Sequence, residues 1–138
     1  MEPYFEFFIN MTQVANDKIQ KALSRGGTID ITTIGRKSGQ PRRIEIVFHN
    51  VGGTIFISGI PNTKRRGWLG NLDKNPRFTF HLKGATKADL PATARVITDE
   101  AERREVLPAI ARNWKRTDLE AMVKYSPLIE VTLDDVAA

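Results

Sequence analysis

The sequence predicts a β-rich α+β fold, an antiparallel barrel of six to seven strands with flanking helices. Three observations carry that expectation. About six short runs rich in β-branched and aromatic residues are joined mostly by hairpin-length turns. The helical stretches stand in front of, within and behind these runs, without the strand–helix alternation of a parallel sheet. A chain of 138 residues is long enough for one core. No repeat, low-complexity tract or linker divides it, so one domain is expected over residues 1–138: an N-terminal helix in 1–25, a barrel core in 28–100, helices in 99–125 and a last strand at 128–133.

Residues 4–23 put Phe5, Phe8, Ala15 and Ile19 near helical spacing with Asp17, Lys18 and Lys21 off that stripe, which reads as an amphipathic helix ended by Gly26-Gly27. Its aromatic start is read as a lid over the barrel, with contact to a membrane surface as the other use. The period then changes. Residues 28–34 are almost entirely β-branched or apolar and form the first expected strand; residues 42–48 form the second, and Val51-Gly52-Gly53-Thr54 is a hairpin turn into a third, Ile55-Phe56-Ile57-Ser58. Trp68, Leu69 and Leu72 share one face of a two-turn helix that stops at Asn75-Pro76. In residues 77–83, Phe78, Phe80 and Leu82 alternate with polar positions. A fifth strand is expected over 90–97, with Pro91 marking an edge or the strand's start. Asp99 and Glu102 signal a helix with Val106, Leu107, Ile110 and Trp114 facing the core and a kink expected at Pro108; Thr117-Asp118-Leu119-Glu120 reads as a capping box for a shorter helix before Ser126-Pro127. Residues 128–133 close the set.

Composition excludes several chemistries. There is no cysteine, so disulfides, thiolate metal sites and cysteine nucleophiles are out, and the two histidines, His49 and His81, make no ligand-spaced cluster, so no metal is expected. Ser38 and Ser58 lie in no nucleophile elbow, and neither a P-loop nor a GxGxxG run is present. No apolar run approaches bilayer length, and the acidic, aromatic start lacks the basic flank of a secretory signal, so the expected location is the cytoplasm, with membrane association through the N-terminal helix as the alternative. The net charge of +5 is uneven: residues 30–83 hold ten Lys/Arg against three acids. That concentration points to a localised anionic partner. A nucleic-acid partner is not expected, because no basic helix or aromatic-interleaved strand motif accompanies the charge.

The most informative stretch is Thr32-Thr33-Ile34-Gly35-Arg36-Lys37-Ser38-Gly39-Gln40-Pro41-Arg42-Arg43. Gly35 and Gly39 bracket a turn and tolerate positive φ, so backbone N–H groups are expected to converge there on an anion, with Arg36, Lys37 and Arg42 supplying charge and Ser38 a hydroxyl. A solvated basic β-turn is the alternative. Gly67 and Trp68 open the short helix, whose N-terminus favours an anion, while Trp68 either stacks on a ring or packs in the core. Ile57-Ser58-Gly59 would run along a planar ring, and Lys64-Arg65-Arg66 would form a rim. A basic cradle with no evident nucleophile or base is what a bound redox cofactor requires.

The Thr32-to-Arg42 run, followed by Gly67-Trp68-Leu69-Gly70-Asn71-Leu72-Asp73-Lys74-Asn75-Pro76-Arg77, resembles the deazaflavin-dependent nitroreductases and related split β-barrel reductases that use coenzyme F420. The family pattern is Thr-Thr-x-Gly-Arg-Lys-Ser/Thr-Gly-x-Pro-Arg, then Trp-x-x-Asn-Leu-x-x-Asn-Pro, and the resemblance covers residues 28–100. It implies a split barrel of the FMN-binding, pyridoxamine-phosphate-oxidase-like kind. It also implies hydride transfer from reduced F420 to a quinone, nitroaromatic or conjugated enone or lactone. Arg36, Lys37, Ser38 and Arg42 would hold the cofactor's phosphate and polyglutamate tail; Ile57, Ser58, Gly59, Arg66, Gly67, Trp68, Leu69 and Asn71 would lie along its ring and phosphate. Tyr125 is the nearest candidate for a catalytic residue, as proton donor or acceptor-pocket wall, with helix-end packing the other reading. Two departures stand out: Ser58-Gly59-Ile60-Pro61 replaces a frequent Ser-Lys-Gly-Gly, and Lys64-Arg65-Arg66 stands where relatives carry His- or Asn-Pro. FMN in place of F420, or a flavin-, haem- or lipid-binding module without turnover, is the alternative on the same barrel. Monomer and homodimer are both open.

Overall fold

A computed structural model describes residues 16–134, so the aromatic residues Phe5, Phe7 and Phe8 lie outside the described residues. Helix α1, described over residues 16–25, ends at Gly26, whose φ of 71° is the left-handed turn that glycine adopts without a Cβ penalty. Six strands follow, β1 (Gly27–Ile34), β2 (Pro41–Val51), β3 (Thr54–Ser58), β4 (Arg77–Lys83), β5 (Lys87–Val96) and β6 (Leu128–Leu133). Helix α2 (Gly67–Lys74) lies between β3 and β4, and α3 (Glu100–Trp114) and α4 (Leu119–Tyr125) between β5 and β6. The strands close as β1-β2-β3-β6-β5-β4, with each neighbouring pair antiparallel. Gly52 and Gly53 both take positive φ in the β2–β3 hairpin, as the two-residue loop requires.

Alternation decides which side chains fill the barrel. Ile29 and Ile31 of β1, Phe48 of β2, Ile57 of β3 and Phe80 of β4 point inward and are buried, with Phe48 and Phe80 edge to face at 5.1 Å. Trp68, Leu69 and Leu72 of α2 belong to the same buried cluster, so the short helix plugs the barrel. Each such side chain contributes roughly 1.5–3 kcal/mol by leaving water. Strand β3 is buried on both faces. Its outward Phe56 joins Leu128 of β6 under Leu107, Ile110, Met122 and Val123 of the α3–α4 pair, which forms a second core.

Three expectations change. Pro91 does not start β5: it sits inside the strand, paired with Thr79 of β4 on one side and one residue beyond the β6 ladder on the other, which is a local edge. Its carbonyl accepts from Asp134 N–H at 2.9 Å, so its missing donor faces the end of β6, where the ladder that begins at Ala92–Leu133 has run out. Strand β5 starts at Lys87, because the polar hairpin end pairs Lys83 with Lys87 beyond the apolar alternation. The capping box at 117–120 does not form: Asp118 makes no side-chain cap and accepts instead from Arg116. Asp99 does cap α3, accepting from Glu102 N–H at 2.9 Å. Among the described residues, no helix is long and apolar enough to cross a membrane.

Candidate functional site

The β1–β2 connection is a tight turn organised by two glycines for different reasons. Gly39 has φ of 70°, the left-handed region. Gly35 is required sterically, since a Cβ there would stand 2.6 Å from Ser38 Oγ. Gly35 N–H donates to Gln40 O, Gly39 N–H to Gly35 O, Gln40 N–H to Ser38 Oγ and Arg36 N–H to Asn71 Oδ1. The N–H groups of Gly35, Arg36, Gly39 and Gln40 are thus satisfied inside the fold, which leaves those of Lys37 and Ser38 at the tip of the turn, beside the side-chain charge, to face an anion. Ser38 Oγ also receives Arg42 Nη2 at 3.4 Å, so the hydroxyl steadies the turn.

Helix α2 is latched to this turn. Arg36 Nη1 donates to Gly67 O at 3.1 Å and to Asn71 Oδ1 at 3.3 Å, and Lys74 Nζ donates to Arg36 O. Asn71 is buried and donates through Nδ2 to Thr33 Oγ1 at 3.0 Å. A Cβ on Gly70 would meet the Arg36 guanidinium at 3.2 Å, so the missing side chain lets the cation lie against the helix. Asn71, expected along a cofactor, lines the cavity beside this turn and also holds Arg36 and Thr33 together.

Charge pairing is uneven over the surface. Arg43, Lys83, Arg65, Arg77, Arg95, Arg104 and Arg116 each meet a carboxylate. Among the described residues Arg36, Lys37 and Arg42 meet none. These three line a cavity of about 410 Å³ with Thr33, Ser38 and Asn71 on one side and Gly67 and Trp68 on the other, and no acid lines it. Trp68 is 9% exposed, so most of its ring is core and one part faces the cavity.

The other predicted residues gather elsewhere. Ile57 is fully buried in the barrel, and Ser58 is buried with its hydroxyl donating to Pro127 O at 2.6 Å. Neither side chain reaches the cation cavity. Gly59 lies between Pro127 and Arg66, and Arg66 Nη2 donates to Ile60 O. Arg66, Leu69 and Tyr125 line a second cavity of about 360 Å³ on the other face of α2. Arg103 was not singled out from the sequence. It is 8% exposed and donates to the carbonyls of Ile97, Met122, Val123 and Ser126, tying α3 to the segment after β5 and to α4 with its C-terminal cap beneath that cavity. Burial lowers its pKa from the usual arginine range. The signal was its spacing, three and seven residues before the core positions Val106 and Ile110.

Both histidines are structural in placement. His81 bridges Thr32 Oγ1 and Asp89 Oδ1, each at 2.7 Å, and the imidazole holds the Asp89 carboxyl below its ordinary value. His49 packs edge to face on Trp114 at 4.6 Å, and burial pushes its pKa down to about 4.

The family model for F420H(2)-dependent quinone reductases matches residues 6–132. Solved structures share the fold at low identity. A protein described as an F420 reductase is 15% identical with a TM-score of 0.63, over 83% of this chain and 91% of that one. A haem storage protein from Vibrio cholerae is 15% identical with a TM-score of 0.64, over 86% and 89%. A putative pyridoxamine 5'-phosphate oxidase from Listeria innocua is 15% identical with a TM-score of 0.60, over 87% and 94%. The barrel is of this split-barrel kind.

Proposed function

The chain belongs to the F420H(2)-dependent quinone reductase family, and on that premise we propose that it reduces a quinone, or another electron-poor acceptor such as a nitroaromatic or conjugated enone or lactone, at the expense of reduced coenzyme F420. The observation that carries the reading is the cavity holding Arg36, Lys37 and Arg42 without a carboxylate. Its donor set fits a phosphate and a tail of carboxylates, because arginine and lysine left unpaired in one concavity repel each other until an anion joins them. When bound, the deazaflavin supplies a hydride from C5 of its reduced ring.

Lys37 and Arg42 would grip the tail, and Arg36, fixed by Gly67 O and Asn71, would present its remaining N–H groups at one orientation. Gly67, Trp68, Leu69 and Arg66 join the two cavities and would bear the phosphate and ring. Gly59, beside Arg66, and the backbone at Ile57 and Ser58 would lie along the ring. Tyr125, 48% exposed at the second cavity, would wall the acceptor or hand it a proton from Oη. Positioning of this kind is what hydride transfer asks of a protein. A haem-binding reading draws no support from the histidines, since His81 bonds through both ring nitrogens and His49 is buried against Trp114.

Titrating the protein with F420 and with FMN, followed by cofactor fluorescence, tests the reading. F420 should bind more tightly, and Lys37→Gln with Arg42→Gln should weaken it by about tenfold or more, as charge-assisted contacts are worth roughly 1.5–3 kcal/mol each. Preference for FMN, or indifference to the double substitution, would sink it.

A further inference from the structure

The second cavity carries a charge that the reductase reading leaves unused. Its floor is apolar, built by Leu69, Val123, Pro127 and Leu128. Its walls are the 59–66 loop and the end of α4, joined by Asn62 N–H to Tyr125 O at 3.3 Å. Lys64, Arg66 and Lys124 line it, and none of them forms a salt bridge among the described residues. The nearby acids are already engaged. Glu100, which lines the cavity, pairs with Arg104 at 3.5 Å, Asp73 pairs with Arg65, and both oxygens of Glu120, one turn before Lys124, accept from Arg104. Beneath them Arg103 is bonded only to carbonyls, which satisfy its donors without cancelling its charge. Arg66 Nη1 and Ser126 Oγ are buried beside the cavity without partners. Ile60 and Tyr125, the exposed large hydrophobic residues among those described, stand on the two segments that form its mouth.

An apolar slot under a positive field suits a flat ring that carries negative charge. We propose that this cavity receives the electron acceptor and selects a ring bearing an acidic oxygen, such as a hydroxyquinone or quinone carboxylate, over the uncharged parent, with Lys64 and Lys124 supplying the selection. The inference rests on the reductase reading for the word acceptor, but the charge selection stands on the cavity alone. The lysines act at the rim through a field that salt screens, so they should set affinity for the charged form and leave apolar contact unchanged.

The test titrates the protein without cofactor, by tryptophan fluorescence, with 2-hydroxy-1,4-naphthoquinone, an anion at neutral pH, and with uncharged 2-methyl-1,4-naphthoquinone. The chain has no cysteine, so neither quinone is consumed by thiol addition. The anion should bind about tenfold more tightly at low salt, and Lys64→Gln with Lys124→Gln should bring the two within about twofold by weakening only the anion. Circular dichroism should be unchanged, and F420 affinity of Lys124→Gln alone should stay within about twofold, because that lysine stands at the end of α4, away from the tail cavity. Equal affinities for the two quinones in the parent protein, or equal weakening of both in the variant, would overturn the proposal. Loss of F420 affinity in Lys124→Gln would overturn it too, by assigning that lysine to the cofactor. Failure of F420 to bind the parent protein would instead defeat the reductase reading, with the quinone titration still deciding this one.

Discussion

His49 shows how one residue couples this fold to pH. It is 4% exposed, its ring stacks edge to face on Trp114, and burial disfavours the imidazolium, so the folded-state pKa is about 4 against about 6.5 in an unfolded chain. Between those values the unfolded state binds the extra proton, and stability rises with pH. The contribution is complete above about pH 6.5 and is lost as pH falls toward 4, a change of roughly 3 kcal/mol at most. The carboxyls of Asp30, Asp89, Glu102, Asp118 and Glu120 are all held below their ordinary values by cationic or imidazole partners, so their losses come at lower pH. Comparing the parent with a His49 variant across the interval from pH 7 to 5 therefore isolates His49. In urea denaturation the parent protein should lose stability across it, and His49→Phe, which keeps a ring against Trp114, should flatten that loss. An equal loss in the variant would assign the effect elsewhere. Residue roles of this sort were only partly legible in the sequence. That both histidines are structural follows from their isolation from any ligand cluster, but the partner of each comes from another element, Trp114 from α3 and Asp89 from β5, which no local pattern reveals.

At the scale of elements, α2 and the β1–β2 turn behave as one unit joined by Asn71. Its Oδ1 accepts from the Arg36 backbone and guanidinium while its Nδ2 donates to Thr33. Asn71→Ala would strand a buried Thr33 hydroxyl and an Arg36 N–H, at about 1–3 kcal/mol in chemical denaturation. Asn71→Asp keeps the acceptor toward Arg36 and lets the Thr33 hydroxyl donate, so it should retain more of the stability than alanine. It also puts a carboxylate beside the three unpaired cations and should weaken anionic ligands all the same. If alanine and aspartate lower stability and binding in parallel, the latch is not what Asn71 does. The turn and α2 were legible because Gly35, Gly39 and the Trp68-Asn71 spacing are local and unusual. Less legible was which N–H groups the fold itself uses: those of Gly35, Arg36, Gly39 and Gln40 are bonded, the second of them to Asn71 of α2. The α3–α4 corner was the least legible, because Asp118 spends its carboxylate on Arg116 and Arg103 finds its acceptors about twenty residues away.

For the whole molecule, the location of charge matters more than its sum. The net charge of +5 is spread over a surface on which half of the arginines face acids, and seven cations without a carboxylate partner among the described residues line two concavities on either side of α2. Barrel closure fixes this arrangement: β1 pairs with both β2 and β4, so the turn after β1 cannot move away from the helix that precedes β4. Unpaired like charges held together by a closed fold cost stability until a ligand joins them, the usual tension between a binding site and the fold that bears it. A specific sign follows. In low salt Lys37→Gln with Arg42→Gln should be at least as heat-stable as the parent, because it removes two of three cations that no carboxylate among the described residues pairs. Pyrophosphate or citrate, which would bind the native cavity and not the unfolded chain, should raise the melting temperature of the parent with a concentration dependence that saturates. The double variant should lose most of that rise, and sodium chloride at equal ionic strength should not reproduce it. A variant less stable than the parent in low salt, with the same anion response, would mean that these cations are ordinary surface charge and that the cavity is no anion site.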